Sequence, residues 1–299
     1  MLTVCIPVYN QNVERLVKEL SAQVKLLHGK VSILLIDDAS SEEFQAQYKI
    51  IRAFAKVIQL DVNIGRSKIR NAFLEYTSAE YLLFLDCDAQ IVRSDFLSMY
   101  LEFIKVNRPK VLFGASIYQK ESPPMNYRLR WKYGSMIESK SFQFRISAPQ
   151  LGFKTNNFLV DRNILKSYPF NELITGYGHE DTLFGFELEQ NGISICHIDN
   201  PVLNAHLDSN SQFLNKTDEA LNNLFHIWEL SEKNGSLLER LNILKVYFRH
   251  ERNLILSITL RCLMRPLRFL LDRGISNLTL FNLYKLAYLF AFNPAQRRQ

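Results

Sequence analysis

Hydrophobic and polar positions in residues 1–106 follow two alternating patterns. Short runs of consecutive apolar residues are typical of strands buried on both faces of a sheet, whereas apolar residues at every third or fourth position are typical of amphipathic helices. The runs predict strands at Leu2–Val8, Val31–Ile36, Val57–Leu60 and Tyr81–Leu85, and the periodic stretches predict helices at Val13–Leu27, Glu42–Phe54, Ser67–Tyr76 and Asp95–Val106. This alternation predicts an α/β fold in which helices flank a mostly parallel sheet.

Polar loops follow each of the four predicted strands. They are PVYN (7–10), DDAS (37–40), NIGR (63–66) and DCD (86–88). Each loop alone also suits an ordinary turn or helix cap. In a parallel sheet, however, the carboxyl ends of the strands form one ligand-binding edge. Together these loops offer what a nucleoside diphosphate needs. The proline-aromatic turn provides a wall for the base, the acidic pairs provide an acceptor for its N–H, and the Gly-Arg turn provides a cation for the phosphates.

The acidic pair after the fourth strand predicts a cation site. Asp86 and Asp88 stand two positions apart, so in an extended chain both carboxylates point the same way. Carboxylate oxygens are the ligands that Mg²⁺ and Mn²⁺ prefer. A turn in which Asp accepts a local backbone hydrogen bond is the alternative for a single Asp-x-Asp motif.

A second acidic centre, GYGHEDT, spans residues 176–182 at the predicted start of a helix. A phosphate-binding glycine turn is disfavoured, because Glu180 and Asp181 would put negative charge where the anion should lie. An acidic helix cap remains one interpretation. The other is a general base, a carboxylate that removes the proton of an attacking hydroxyl.

Five ordered motifs resemble family 2 glycosyltransferases with the GT-A fold. The motifs are TVCIPVYN (3–10), IDDAS (36–40), NIGRSKIRN (63–71), LDCD (85–88) and GYGHED (176–181). The resemblance covers about residues 1–210 and implies a Rossmann-like sheet, a nucleotide-sugar donor and a divalent metal. Cys87 departs from the pattern, and its side chain is expected to point away from the ion.

The resemblance also implies a set of donor-binding residues. Pro7 and Tyr9 border the base, Asp38 accepts its ring N–H, and Gly65 lets the backbone approach closely. Arg66, Lys68 or Arg70 meets the base or the diphosphate. Asp86 lies near the ribose, and Asp88 binds the metal with Asp86 and His206 as further ligands. An imidazole ligand favours Mn²⁺ somewhat over Mg²⁺, although a lone His is more often a surface or packed residue.

On the acceptor side, the resemblance implies that Asp181 is the base and that Glu180 binds an acceptor hydroxyl, and these two roles could be exchanged. Asn156 and Asn157 are expected to fix sugar hydroxyls, with His179 beside them, although paired Asn residues also form turns. His197 is expected to be structural. The basic and aromatic run 127–133 suits a lid, an arm that grips a phosphorylated acceptor, or a simple amphipathic helix.

Composition bounds the domain organisation and the compartment. The 299 residues, 47% hydrophobic and 22% charged, predict a GT-A catalytic domain over 1–212 and a helical region over 213–299. Residues 1–106 would form the nucleotide-binding half and residues 107–212 the acceptor-side half. Four single cysteines read as buried thiols in a reducing compartment, and the start of the chain shows no leader, so we expect a cytoplasmic protein.

The C-terminal region carries most of the net charge of +6. Eight Arg and two Lys lie between Lys245 and Arg298, against Glu251, Asp272 and, just upstream, Glu239. Apolar helices are predicted at Leu237–Phe248, Leu254–Leu271 and Leu278–Phe292, with Pro266 breaking or bending the second, and each is too short to span a bilayer. They suit the inner face of an anionic membrane, packing on the catalytic domain, or a homodimer interface. Nucleic acid is disfavoured, because no nucleic-acid module is recognisable.

These observations predict an inverting, metal-dependent glycosyltransferase that uses a nucleotide-sugar donor, with UDP as the expected nucleotide. The acceptor would be a glycan or lipid-linked glycan in polysaccharide, O-antigen or capsule assembly. A sugar-phosphate nucleotidyltransferase shares the α/β plan, but it would carry a Gly-rich loop where Pro7–Asn10 stands. A silent glycan-binding or membrane-surface module would keep the fold without Asp88, Asp181 and His206 together.

Overall fold

The apolar runs form strands in the structure, a computed structural model that describes residues 1–150 and 152–292. In chain order the strands are β1 (Leu2–Val8), β2 (Val31–Asp37), β3 (Lys56–Gln59), β4 (Tyr81–Leu85), β5 (Ala89–Ile91), β6 (Val111–Phe113), β7 (Ser116–Ile117), β8 (Asn157–Asp161), β9 (Ile195–His197) and β10 (Val202–Asn204). The predicted bounds of β1 and β4 are confirmed.

Seven of the described strands form one sheet, in the order β3-β2-β1-β4-β8-β6-β9. Strand β1 pairs in parallel with β2 and β4, β2 with β3, and β6 with β9. Strand β8 runs antiparallel to both of its neighbours, β4 and β6. The predicted α/β fold with a mostly parallel sheet is therefore confirmed.

A second, smaller sheet has the order β5-β10-β7. Strand β10 runs antiparallel to β5, with Asn204 opposite Ala89, and parallel to β7. This sheet directly follows the Asp-x-Asp turn, because β5 begins at the residue after Asp88.

The helices alternate with the strands in the first half of the chain and follow one another at its end. In the first half they are α1 (Glu14–Lys25), α2 (Glu42–Gln45), α3 (Tyr48–Ile51), α4 (Arg66–Tyr76), α5 (Phe96–Asn107), α6 (Arg128–Tyr133), α7 (Phe142–Ser147), α8 (Arg162–Ser167) and α9 (Glu180–Gln190). The C-terminal helices are α10 (Asn210–Leu230), α11 (Gly235–Arg240), α12 (Asn242–His250), α13 (Leu254–Asp272) and α14 (Leu278–Phe292).

Both faces of the larger sheet are buried. Alternate residues of β1 and β2, such as Val4 and Leu35, join one apolar cluster with α1 and α5, whereas Cys5 and Leu34 join a second cluster rich in phenylalanine. Side chains alternate across a strand, so a continuous apolar run fills two cores at once. The strand ends are consequently where polar residues can reach solvent.

The chain divides into two compact units. The first comprises Met1–Gln119, Glu138–Glu172 and Asp181–His206, and the second comprises Lys120–Ile137, Leu173–Glu180 and the helices from Leu207 onward. The sequence predicts a boundary after residue 212, whereas the first unit ends at His206. The two inner segments of the second unit had no signal in the sequence.

Two predicted helices are each divided. Residues 42–54 form the short helices α2 and α3, and residues 237–248 belong to α11 and α12. The second break lies at Leu241, whose backbone is non-helical, with φ −89 and ψ 64, while its side chain is buried. Burial of this leucine fixes the turn that helical periodicity does not reveal.

Helix α13 bears on two predictions. Pro266 was expected to break or bend the helix, and the helix continues through it without a break. Proline has no N–H, so the carbonyl of Cys262, four residues before Pro266, lacks its usual helical partner. Both residues are exposed, so water can bind this carbonyl. The same position makes the prediction of a buried Cys262 wrong, because the residue lies opposite the buried face of the helix.

Within residues 1–150 and 152–292, no helix combines the length and apolar character needed to cross a membrane.

Candidate active site

The Asp-x-Asp segment forms the turn between β4 and β5. The amide of Ala89 donates to the carbonyl of Asp86 at 3.1 Å, and both carboxylates of the motif are half-buried. Cys87 packs against the core, and burial, with Asp88 and Asp86 adding to it, raises the pKa of its thiol to about 12. The thiol therefore stays protonated and is a poor metal ligand, as its middle position suggested.

His206 follows a strand that pairs with the Asp-x-Asp turn. Because Ala89 lies opposite Asn204 in the antiparallel pair, Asp88 and His206 extend from the same end of β5 and β10. Among the described residues, no three His, Cys, Asp or Glu side chains stand close enough together to hold a metal ion. Two protein ligands still fit a hard cation, because Mg²⁺ usually uses one or two carboxylates and completes its shell with substrate phosphates and water.

Arg70 is buried beside the Asp-x-Asp turn. Its side chain is 2% exposed, and its Nη2 lies 3.5 Å from Oδ1 of Asp86. Nη1 donates to the carbonyl of Arg66 at 3.2 Å, and the guanidinium lies 5.4 Å from the ring centre of Phe170. Arg70 therefore orients Asp86, and its predicted contact with the base or the diphosphate stays a prediction.

Asp38 joins the exit of β2 to the turn before α4. Its Oδ1 accepts from the amide of Ile64 at 2.7 Å and its Oδ2 from the amide of Gly65 at 3.1 Å. Burial raises the pKa of Asp38, the two amides lower it, and the neighbouring Asp37 raises it further. Asp38 therefore shapes the turn that carries Gly65, and its predicted contact with the base stays a prediction.

Gly65 precedes α4 and has a left-handed backbone, with φ +84, which favours glycine. Helix α4 begins at the next residue, with Arg66 half-buried and Lys68 exposed in its first turn. These two basic residues therefore lie beside Gly65, and their predicted contact with the donor stays a prediction.

The loops after β1 and β2 form hydrogen bonds with each other through motif residues that were given no role from the sequence. Ser40 Oγ accepts from the amide of Asn10 at 2.8 Å, and Asn10 Oδ1 accepts from the amide of Ser41 at 2.9 Å. The fully buried Asp37 accepts from the hydroxyl of Ser40. This network fixes the loop that presents Pro7, half-buried, and Tyr9, which is 53% exposed. The only signal in the sequence was the turn-forming character of Asn and Ser.

Lys154 is a site residue that the sequence did not indicate. Its Nζ lies 3.0 Å from Oδ2 of Asp181, while Oδ1 of Asp181 accepts from the amide of Thr182 at 2.7 Å. The Asp181 side chain is 16% exposed. Both oxygens of the predicted base are thus held in place at the start of α9.

Asn156 and Asn157 turn out to differ. The amide of Asp86 donates to the carbonyl of Asn156 at 3.1 Å, and the Asn156 side chain donates to Ser116 Oγ at 2.9 Å. The contact of Asn156 with a sugar hydroxyl stays a prediction. Asn157 is 0% exposed, donates to the carbonyls of Ala115 and Asn200, and accepts from Tyr100. Asn157 therefore bonds within the protein, and its predicted contact with a sugar hydroxyl stays a prediction.

His179 and Glu180 belong to the second unit. His179 has φ +70, and Glu180 is only 6% exposed. The preceding loop is held by Asn223, which donates to the carbonyls of Thr175, Tyr177 and Gly178 at 3.1, 3.2 and 3.1 Å. The roles predicted for Glu180 and Asp181 stay predictions, and the Asp181 side chain is 16% exposed.

His197 is structural, as predicted. Its Nδ1 lies 3.3 Å from Nη1 of the buried Arg145, and its Nε2 lies 3.0 Å from the carbonyl of Pro149. Burial lowers the pKa of His197 to about 4, so the ring is neutral at pH 7. Since Arg145 can only donate, Nδ1 accepts and Nε2 carries the proton.

Comparison with known proteins gives one family and a shared fold. A sequence profile described as Glycosyl transferase family 2 matches residues 3–168. No curated protein in the comparison matches the chain.

Three solved structures illustrate the fold similarity. S. aureus TarS 1–349 in complex with UDP is 19% identical, with a TM-score of 0.52 and coverage of 100% of this chain and 92% of that one. The mannosyltransferase PcManGT from Pyrobaculum calidifontis, in complex with GDP-Man and Mn²⁺, is 12% identical, with a TM-score of 0.58 and coverage of 97% and 85%. Glucosyl-3-phosphoglycerate synthase from Mycobacterium tuberculosis, in complex with phosphoglyceric acid, is 15% identical, with a TM-score of 0.53 and coverage of 77% and 79%.

Proposed function

Because the chain belongs to glycosyl transferase family 2, we propose that it transfers the sugar of a UDP-sugar, with inversion, to a hydroxyl group of a glycan or lipid-linked glycan. Family membership makes the chain a nucleotide-sugar glycosyltransferase, as the five motifs predict, and its sheet is that of the GT-A fold. The donor nucleotide, the acceptor and the stereochemistry are the content of the proposal.

The contacts of residues 154–156 carry the proposal. Asn156 accepts the amide hydrogen of Asp86, and Lys154 pairs with Asp181. Two residues of chain span at most about 7 Å, so one short segment links the Asp-x-Asp turn with the candidate base. Transfer of a sugar from a nucleoside diphosphate to a hydroxyl needs a metal-binding carboxylate and a carboxylate base in one site.

In the proposed reaction, the acceptor oxygen bonds to the anomeric carbon while its proton passes to the carboxylate of Asp181. The bond between that carbon and the diphosphate oxygen breaks, and its electron pair leaves with the nucleoside diphosphate. Attack from the opposite face passes through an oxocarbenium-like state and inverts the anomeric centre. Lys154 and Thr182 would hold the base carboxylate in one orientation throughout.

We expect Asp88 and His206 to hold a divalent ion, Mn²⁺ or Mg²⁺, with Asp86 beside them. A bound cation neutralises the charge that develops on the departing diphosphate. The mixed oxygen and nitrogen donor set favours Mn²⁺, the ion in the PcManGT complex. Arg70 orients Asp86 from the buried side of the turn, which keeps one carboxylate of the motif aligned before the ion binds.

The proposed setting is the cytoplasmic side of a membrane, where a growing polysaccharide, O-antigen or capsule chain could be presented on a lipid carrier. The basic C-terminal region supports this setting, because anionic lipids attract arginine and lysine. A second copy of the chain, bound through the same helices, is the alternative partner.

A donor screen tests the reaction. Purified chain would be incubated with UDP-sugars or GDP-mannose and glycan acceptors, with Mn²⁺, Mg²⁺ or EDTA, while released nucleoside diphosphate is measured. Release of nucleoside diphosphate with an inverted anomeric product supports the proposal. Release of pyrophosphate would instead indicate a nucleotidyltransferase, and glycan binding without turnover would indicate a binding module.

Two substitutions separate the metal from the base. We expect Asp88→Ala to weaken Mn²⁺ and donor binding together, and Asp181→Asn to keep donor binding within about twofold while lowering kcat by about a thousandfold. Glu102→Gln, an exposed carboxylate on α5, is the matched control. Normal turnover in Asp181→Asn would exclude this residue as the base.

A further inference from the structure

Helix α13 is apolar on two opposite faces. The inner face packs against α14 and α10 and is formed by Ser257, Leu260, Met264, Leu267 and Leu271. The opposite face is exposed and is formed by Ile255, Ile258, Cys262, Pro266 and Phe269, which we call the outer face of α13. Ile255 is 81% exposed, Ile258 63% and Phe269 59%. A helix that packed only on its own domain would carry polar side chains at these positions.

Basic side chains border the outer face. Arg252, Arg261, Arg265 and Arg273 are exposed on or beside α13, whereas the acidic side chains of residues 249–275 are Glu251 and Asp272. The guanidinium of Arg273 lies 5.0 Å from the ring centre of Phe269. The surface therefore combines large apolar side chains with an excess of positive charge.

We propose that the outer face of α13 docks on an anionic lipid surface, with the helix lying in the plane of the interface. Apolar side chains of such a helix enter the boundary between headgroups and acyl chains, and its arginines bind lipid phosphates. This inference is independent of the proposed reaction, because none of these residues belongs to the candidate site.

Charge favours lipid over a second copy of the chain. A two-fold contact centred on Cys262 would set Arg261 and Arg265 against the same residues of the other copy. Like charges that face each other across an interface oppose association. Anionic headgroups instead complement every arginine on this side of the helix.

Vesicle sedimentation of the full chain tests the inference. We expect it to pellet with vesicles of phosphatidylglycerol and phosphatidylcholine at low salt, and less at high salt, because salt screens the arginines. Ile255→Gln with Phe269→Gln should weaken this binding at least tenfold, since two large apolar side chains no longer enter the interface. Leu26→Gln with Val106→Gln, at residues 73% and 79% exposed that lie just after α1 and on α5, should bind like the unaltered chain.

Two further measurements identify the occupant. Arg265→Gln should lower the preference for anionic over purely zwitterionic vesicles, and a fluorophore on the exposed Cys262 should shift its emission to shorter wavelength when vesicles are added. Failure to bind anionic vesicles at low salt would overturn the inference. So would an equal loss in the control pair, or a dimer that Ile255→Gln with Phe269→Gln dissociates.

Discussion

Single ionic contacts organise the candidate base. Lys154 and Asp181 are paired at 3.0 Å, and Lys154 is 43% exposed. A pair this exposed adds at most about 1 kcal/mol to the free energy of unfolding. Its value would therefore lie in fixing the carboxylate, because a small displacement of a reacting group lowers the rate strongly.

We predict that Lys154→Met lowers kcat about tenfold, since Asp181 loses the contact that orients it, while the donor KM stays within about twofold. The unfolding free energy should change by less than about 1 kcal/mol. Steady-state kinetics and urea unfolding measure both effects. Lys166→Met, an exposed lysine on α8, serves as the control, and an unchanged kcat in Lys154→Met would contradict the orienting role.

A second residue-scale prediction concerns acid stability and His197. Its folded-state pKa of about 4 lies below the unfolded value of about 6.5, so the unfolded chain binds a proton first as pH falls. The stabilisation is complete above about pH 6.5 and is lost progressively toward pH 4. At pH 5 the loss is about 2 kcal/mol.

Urea unfolding at pH 7 and pH 5 measures this loss. In His197→Gln, which can still donate to Pro149 and accept from Arg145 but does not titrate, the difference between the two pH values should shrink by about 2 kcal/mol. An undiminished difference would assign the pH dependence to other groups.

At the scale of elements, packing of α10 fixes the loop before α9. Gly178 has φ +98, and a Cβ atom there would lie 2.6 Å from the Cβ of Ala220. Asn223, one turn further along α10, binds three carbonyls of the same loop. The loop therefore requires glycine for two separate reasons, backbone conformation and close approach.

We predict that Gly178→Ala lowers the unfolding free energy by more than about 2 kcal/mol, because it adds a clash to the left-handed strain. Gly192→Ala is the matched control, since Gly192 has φ +68 and open space around it, and should cost about 1 kcal/mol. Ala220→Gly should recover part of the loss in Gly178→Ala. Equal losses at positions 178 and 192, measured by urea unfolding, would contradict the close contact.

Local patterns predicted the elements well where burial is continuous or strictly periodic, as in β1, β4 and α14. They did not predict the break between α2 and α3, where Gln47 uses its side chain to bind the amide of Val13 and the carbonyl of Gln11. Likewise, the pairs of Arg70 with Asp86 and Lys154 with Asp181 join residues 16 and 27 positions apart. Motifs can name such residues, but only tertiary structure shows which of them face each other.

At the scale of the whole molecule, the C-terminal helices hold inner segments of the chain. Asn210 on α10 accepts from the amide of Leu129 at 3.1 Å and donates to the carbonyl of Met125 at 3.0 Å. Leu129 is fully buried. The family match, residues 3–168, includes the first of these segments, Lys120–Ile137, without the C-terminal helices that bind it.

We predict that a chain ending at residue 206 does not fold as a soluble enzyme, because Leu129 and Ile174 lose the helices of their unit and become exposed. Near-UV circular dichroism should show weakened tertiary signals, and binding of a hydrophobic dye should rise relative to the full chain. A shortened chain that unfolds cooperatively and retains full turnover would contradict this dependence.

Strand β8 has a consequence for engineering new specificities. Because β8 is antiparallel to β4, its first residue lies at the edge of the sheet where β1, β2 and β4 end. The side chain at position 156, just before β8, can vary while the backbone bond from Asp86 to the carbonyl of Asn156 is kept. Libraries intended to accept different alcohols should therefore diversify position 156, keep Lys154 because it pairs with the candidate base, and leave β8 itself untouched.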